Sequence, residues 1–174
     1  MHNAIFIWRG RLRHLVRKHE IARNALVKGL HDYMNMLVVQ SSTIGDMPKY
    51  PFITYTVTSP YLRLGQDEEY TEEVNSSYQN RHVLHYERVF SFSIAARDED
   101  TAMDKCMQAI QYFRNDGVLA LKDKGIVIVE ISNVQARDNF ITIDYDRRYG
   151  FDVRIRLADE EIRETTDIIE KVNL

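Results

Sequence analysis

Apolar residues recur at three- and four-residue steps from Leu12 to Tyr33, through Leu15, Val16, Ala22, Leu26 and Leu30, with most basic residues on the other side. That spacing predicts an amphipathic helix. A short apolar run, Met36 to Val39, leads into a loop over 41–50 marked by Gly45, Asp46 and Pro48. Pro51 then opens a strand, Phe52 to Thr58, which is dominated by β-branched and aromatic residues and closed by Pro60. From His82 to Ala95 the period is two. Leu84, Tyr86, Phe90, Phe92 and Ile94 share one face with Arg88, and His85, Glu87, Ser91 and Ser93 share the other.

Asp98 to Thr101 offers several N-caps for a second helix whose stripe is Ala102, Cys106, Ala109, Ile110 and Phe113. A connector over 118–124 precedes Ile126 to Val134, which is β-branched enough to read as a buried strand. Phe151, Val153, Ile155 and Leu157 alternate with Asp152, Arg154, Arg156 and Ala158, so this strand has a clear inner face and its two arginines point away from it. The charged stretch 158–166 reads as a loop or helical turn, and Ile168 to Leu174 as an edge strand. Helices and strands do not alternate as in a doubly wound fold. The expected class is therefore α+β, a mainly antiparallel or mixed β-sheet with two principal helices packed on one face.

A chain of 174 residues fits one domain. We expect a basic N-terminal extension over 1–20 that continues into the first helix, and a single α+β domain over 21–174. Residues 65–80 hold Asp67, Glu68, Glu69, Glu72 and Glu73 with few large apolar groups, which predicts a mobile acidic loop. Charge is polarised along the chain. The first 31 residues carry Arg9, Arg11, Arg13, Arg17, Lys18, Arg23 and Lys28 against Glu20 alone, a surplus of six; in a chain of net charge −3, the remainder has a net charge of −9. Such polarity steers association between charged surfaces or attracts a polyanion.

No apolar run approaches a membrane span, and Ala4 to Trp8 is too short for a secretory h-region. With one cysteine, the chain has no internal disulfide and no cysteine pair for zinc. Cys106 lies on the apolar stripe of its helix, where a small core residue is expected in preference to a nucleophile. His14 and His19 do not converge on a helix, and His82 and His85 point to opposite faces of a strand. Asp98, Glu99 and Asp100 open like a calcium loop but lack its glycine and closing glutamate, so capping explains them better. Asp138, Asp144 and Asp146 are the carboxylates a hydrolase would need. Beside Arg147 and Arg148, in what reads as a turn, Asp144 and Asp146 are expected to form an ion-pair cluster. No glycine-rich phosphate loop is present. No cofactor, metal site or catalytic residue is expected.

Tyr50 to Thr58 (YPFITYTVT) with Pro48, then Phe90 to Asp98 (FSFSIAARD), Ala136 to Asp138 (ARD), Phe140 to Asp144 (FITID) and Tyr145 to Arg156 (YDRRYGFDVRIR) follow one another in an order that resembles phage neck and tail-terminator proteins. The resemblance covers about 21–174 and rests on packing motifs. It implies a non-enzymatic virion subunit of a tailed phage or prophage, assembled in the bacterial host cytoplasm. The subunit would form a ring, commonly hexameric, at the head-proximal end of the tail. That ring would end tail-tube polymerisation and join the tail to a head-completion or connector protein, with DNA passing through its channel without specific binding. The candidate interface residues are Arg11, Arg13, Arg17, Lys18, Asp67, Glu68, Glu69, Glu72, Glu73, Arg147, Arg148, Arg154 and Arg156. The competing reading is a nucleic-acid-binding module that uses the basic N-terminal helix.

Overall fold

The computed structural model describes residues 3–42, 46–65, 67–74, 77–141 and 144–165, with side chains for 19–42, 46–65, 67–74, 78–138 and 146–163. Helix α1 spans Asn3–Met34, longer at both ends than the apolar period implied. Strands β1 (Val38–Gln40) and β2 (Phe52–Arg63) follow, and then β3 (Glu68–Val74) and β4 (Ser77–Ala96). Helix α2 (Glu99–Gln111) runs into a π-helical turn, Tyr112–Asp116, and then into α3 (Val118–Lys122) where a connector was expected. Strands β5 (Val127–Ile131), β6 (Gln135–Ala136), β7 (Asn139–Ile141) and β8 (Asp144–Thr165) complete the described chain.

The sheet runs β1-β2-β4-β8-β5, with β3 on β4 and with β6 and β7 on β8. Among the described residues β1 and β2 are the parallel pair and every other pairing is antiparallel, which makes the fold a mixed-sheet α+β one. Its spine is the β4–β8 ladder, unbroken from Tyr78↔Thr165 to Ala96↔Arg147. Because side chains alternate, this one register sends Tyr86, Phe90, Phe92 and Ile94 to the same side as Leu157, Val153 and Phe151. Helices cover that side. Ala22, Ala25, Leu26 and Leu30 of α1 and Cys106, Ala109 and Ile110 of α2 join the same buried cluster. Phe92 is its hub, with ring centroids 5.2 Å from Phe113, 5.9 Å from Phe151 and 6.4 Å from Tyr55. Gly29 lets α1 settle against the π-helical turn, since a Cβ there would collide with the Tyr112 hydroxyl.

Four expectations are corrected. The acidic segment 65–80 is not a loop: Glu68–Val74 pairs with Ser77–Val83 as a hairpin. Its carboxylates sit across from Arg81, His82 and His85, which offset their mutual repulsion, and Tyr70, Thr71 and Tyr78 suit a strand. The stretch 158–166 is not a loop or helical turn either, because β8 continues through it to Thr165 as the partner of β4. Asp144 to Arg148 belongs to the start of β8 rather than to a turn. Finally, among the described residues β5 lies at the edge of the sheet and is not buried; Val127 and Val129 are 48% and 40% exposed. β-Branched composition reports a pleated backbone, and burial depends on neighbours that composition does not contain. The expected edge strand at 168–174 lies outside the described residues.

Val153 is fully buried between the aromatic hub and β5. Val153→Asp is expected to abolish cooperative thermal unfolding, because an unpaired buried carboxylate costs several kcal/mol, on the order of the ~5–15 kcal/mol that holds a small domain together. A normal melting curve for this variant would show the register to be wrong.

Candidate functional site

The face of the sheet away from the helices is where the sequence placed its polar alternates. Thr54 and Thr56 of β2 face Ser93 and Ser91 of β4, which face Gly150 and Asp152 of β8. Arg137, from the segment between β6 and β7, lies across this row. Its Nη1 donates to Ser91 Oγ at 2.6 Å and Ser93 Oγ at 3.2 Å, and its Nη2 donates to Asp152 Oδ1 at 3.0 Å. Gly150 makes room, since a Cβ there would collide with the Phe92 carbonyl and the Arg137 guanidinium.

Further along the same face, on the side away from the described helices, Glu87 is only 4% exposed. Arg156 holds it at 3.0 Å and Arg154 at 3.9 Å, and Arg154 reaches on to Glu130 of β5 at 2.8 Å. The two candidate arginines therefore do point away from the core, but they are not free surface charges. They enclose a carboxylate that would otherwise be buried alone.

Beyond the helices, β3 and the distal halves of β4 and β8 form a three-stranded arm. Arg81 bridges Glu72 and Glu160, Asp67 meets His82 at 3.3 Å and Arg63 at 3.5 Å, and Glu68 lies 3.6 Å from the ring of His85. Glu69 accepts from Asn80 at 2.7 Å, and Glu73 stands opposite Tyr78 in the ladder. The five expected loop carboxylates thus belong to one folded surface.

A second polar cluster joins the start of β8 to the segment before β7. Asp138 accepts the Arg148 backbone N–H at 2.8 Å and Arg147 Nη1 at 2.9 Å, which together hold its carboxyl below the usual value, the backbone hydrogen bond contributing most. Asp146, 2% exposed, pairs with Arg148 at 2.5 Å, and the Arg148 guanidinium stacks on Phe52. Asp146 has the cation expected of a structural cluster and Asp138 has one as well, while the Asp144 side chain lies outside the described residues. Cys106 is fully buried, and burial pushes its thiol up to about 12. Asp98 caps α2 by accepting from Thr101 N at 2.8 Å. Among the described residues no group of His, Cys, Asp or Glu is arranged to hold a metal, and no helix is long and apolar enough to cross a membrane.

Arg11, Arg13, Arg17 and Lys18 lie on the α1 backbone, and their side chains are outside the described set. Next to them, near the middle of α1, His19 makes a contact that sequence reasoning missed. Arg88, 6% exposed on the core face, donates from Nε to the Pro60 carbonyl at 2.7 Å and from Nη1 to His19 Nδ1 at 2.5 Å, and its guanidinium lies over the Tyr86 ring at 5.2 Å. An arginine on an apolar strand face was the available signal; its partner on a helix 69 positions away was not.

The mixed α+β sheet thus has one face covered by helices and the other laced by ion pairs. The chain belongs to the phage neck terminator proteins: the family's model matches residues 24–174. It is a structural component of the phage virion, of the neck. No curated protein matches it. Among solved structures, a chain from "Virion of native gene transfer agent (GTA) particle" is similar at 11% identity and a TM-score of 0.27, over 73% of this chain and 84% of that one, a likeness too slight to carry an argument.

Two outcomes follow from these contacts. Arg156→Glu sets a second carboxylate against Glu87 and is expected to lower stability by about 2 kcal/mol, less than for a fully buried pair because Arg156 is half exposed; a shift of the urea midpoint at unchanged slope measures it. His19 has its pKa lowered from 6.5, by burial first and then by Arg88. The unfolded chain therefore takes up the proton before the folded one does. Stability from this group is fully present above pH 6.5 and is lost as pH falls below it. Urea titrations at several pH values should show the advantage of the parent over His19→Gln shrinking on acidification, and a constant difference would contradict the contact.

Proposed function

We propose that this neck protein forms a ring, hexameric by the resemblance of its motifs, on the head-proximal end of the tail tube, where it stops tube polymerisation and docks the head-completion or connector protein. Its partners are then further copies of itself, the tail-tube protein and the connector, and DNA passes through the channel without specific recognition. Family membership over 24–174 carries this reading. Physical chemistry supports it, because a closed ring needs two different complementary patches on each subunit, and this chain separates a basic helix from acidic strands. The proposed contact residues are Arg11, Arg13, Arg17, Lys18, Asp67, Glu68, Glu69, Glu72, Glu73, Arg147, Arg148, Arg154 and Arg156, those around Glu87 and Asp138 acting only through what their ion pairs leave exposed.

Electron microscopy of the protein mixed with its own tail-tube subunit tests the proposal. The expected result is a ring on one end of each tube and shorter tubes as the protein is added; tubes of unchanged length with bare ends would overturn it. The family match begins at residue 24, so most of the basic stretch falls outside it, and this favours keeping duplex binding by α1 as the second reading. Gel shifts across salt concentrations separate the two, since counterion release makes such binding steeply salt-dependent.

A further inference from the structure

A groove of about 290 Å³ opens at the sheet edge, at the root of the acidic arm. It is lined by Ile21 and Ala22 of α1, by Lys124, Gly125 and Ile126 before β5, and by Leu157 and Ala158 of β8. Its walls are apolar apart from Lys124, and Ile21 is 52% exposed in it. On the arm, Tyr70, Arg81 and Ile162 stand in register on the open face, with Tyr70 45% and Ile162 49% exposed. Glu68, Glu72 and Glu160 surround them. One surface is an apolar cleft rimmed by a lysine, and the other is an aromatic knob ringed by carboxylates.

We propose that, in the ring proposed above, Tyr70 of one copy seats in the Ile21–Ile126–Leu157 groove of the next, with Glu68 meeting Lys124. The contact is between copies for a geometric reason. Tyr70 pairs with Arg81, whereas Leu157 pairs with Tyr86, five steps back along one straight ladder. That is roughly 17 Å at the rise of a strand. The groove also opens on the helix side of the sheet and Tyr70 lies on the other side, so the arm does not fold back on its own root. The two patches differ, as a head-to-tail contact requires. An edge-to-edge alternative, β3 of one copy along distal β8 of the next, would bring Glu68, Glu69, Glu72 and Glu73 against Asp159, Glu160, Glu161 and Glu164, and like charges opposite one another are destabilising.

The inference rests on the ring reading, and the test separates the two. In the full chain, Tyr70→Cys and Ile21→Cys are combined; the native Cys106 is buried and stays silent. Under mild oxidation, wherever microscopy shows rings free or on tube ends, the double variant should give a ladder of disulfide-linked oligomers on a denaturing gel, and neither single variant should. Rings without the ladder would overturn this contact and leave the ring standing, whereas no ring under any condition would overturn both. Charge reversal adds a second readout. Glu68→Lys and Lys124→Glu should each raise the concentration for half-assembly about fivefold, at unchanged melting temperature, and the pair together should restore it. Losses that merely multiply in the pair would overturn the assignment.

Discussion

Nearly everything in this fold depends on the β4–β8 register. The two strands run antiparallel without a break from the base of the sheet to the tip of the arm, and each pairing fixes two faces at once. On the inner face Phe92 against Phe151, and Phe90 against Val153, give the helices an apolar floor. On the outer face Glu87 meets Arg156 and Ser91 meets Asp152. A slip of one residue would exchange these sets, placing Glu87 under α1 and Phe92 in water. The polar ladder therefore helps to specify the same register that the hydrophobic core rewards.

Local patterns along the chain reveal the inner face. Phe151, Val153, Ile155 and Leu157 alternate so cleanly that their burial follows from period alone, and the stripe from Ala102 to Phe113 places α2 with comparable certainty, though not the π-helical turn that closes it. The arm was not legible, for an equally physical reason. Five carboxylates close together in sequence look like a segment that cannot order itself, and what orders them is supplied by Arg81, His82 and His85 across the hairpin and by a third strand nearly eighty positions away. The outer face fails to show in sequence for the same cause. Arg154 and Arg156 were legible as outward-pointing, but that they enclose Glu87 depends on a pairing partner far along the chain.

The same pairing limits what the outer face offers to a polyanion. Arg137, Arg154 and Arg156 are matched there by Asp152, Glu87 and Glu130. Affinity for duplex DNA comes largely from counterions released when free cations neutralise phosphates, and a guanidinium already held by a carboxylate within the protein releases few. Whichever way this face points in the proposed ring, it presents hydroxyls and closed ion pairs. Such a surface suits contact with DNA in transit better than capture of it. The surplus of positive charge in the sequence lies in the first 31 residues instead, most of it before residue 24, where the family match begins. In the proposed ring, attachment and passage would then fall to different elements of one small chain.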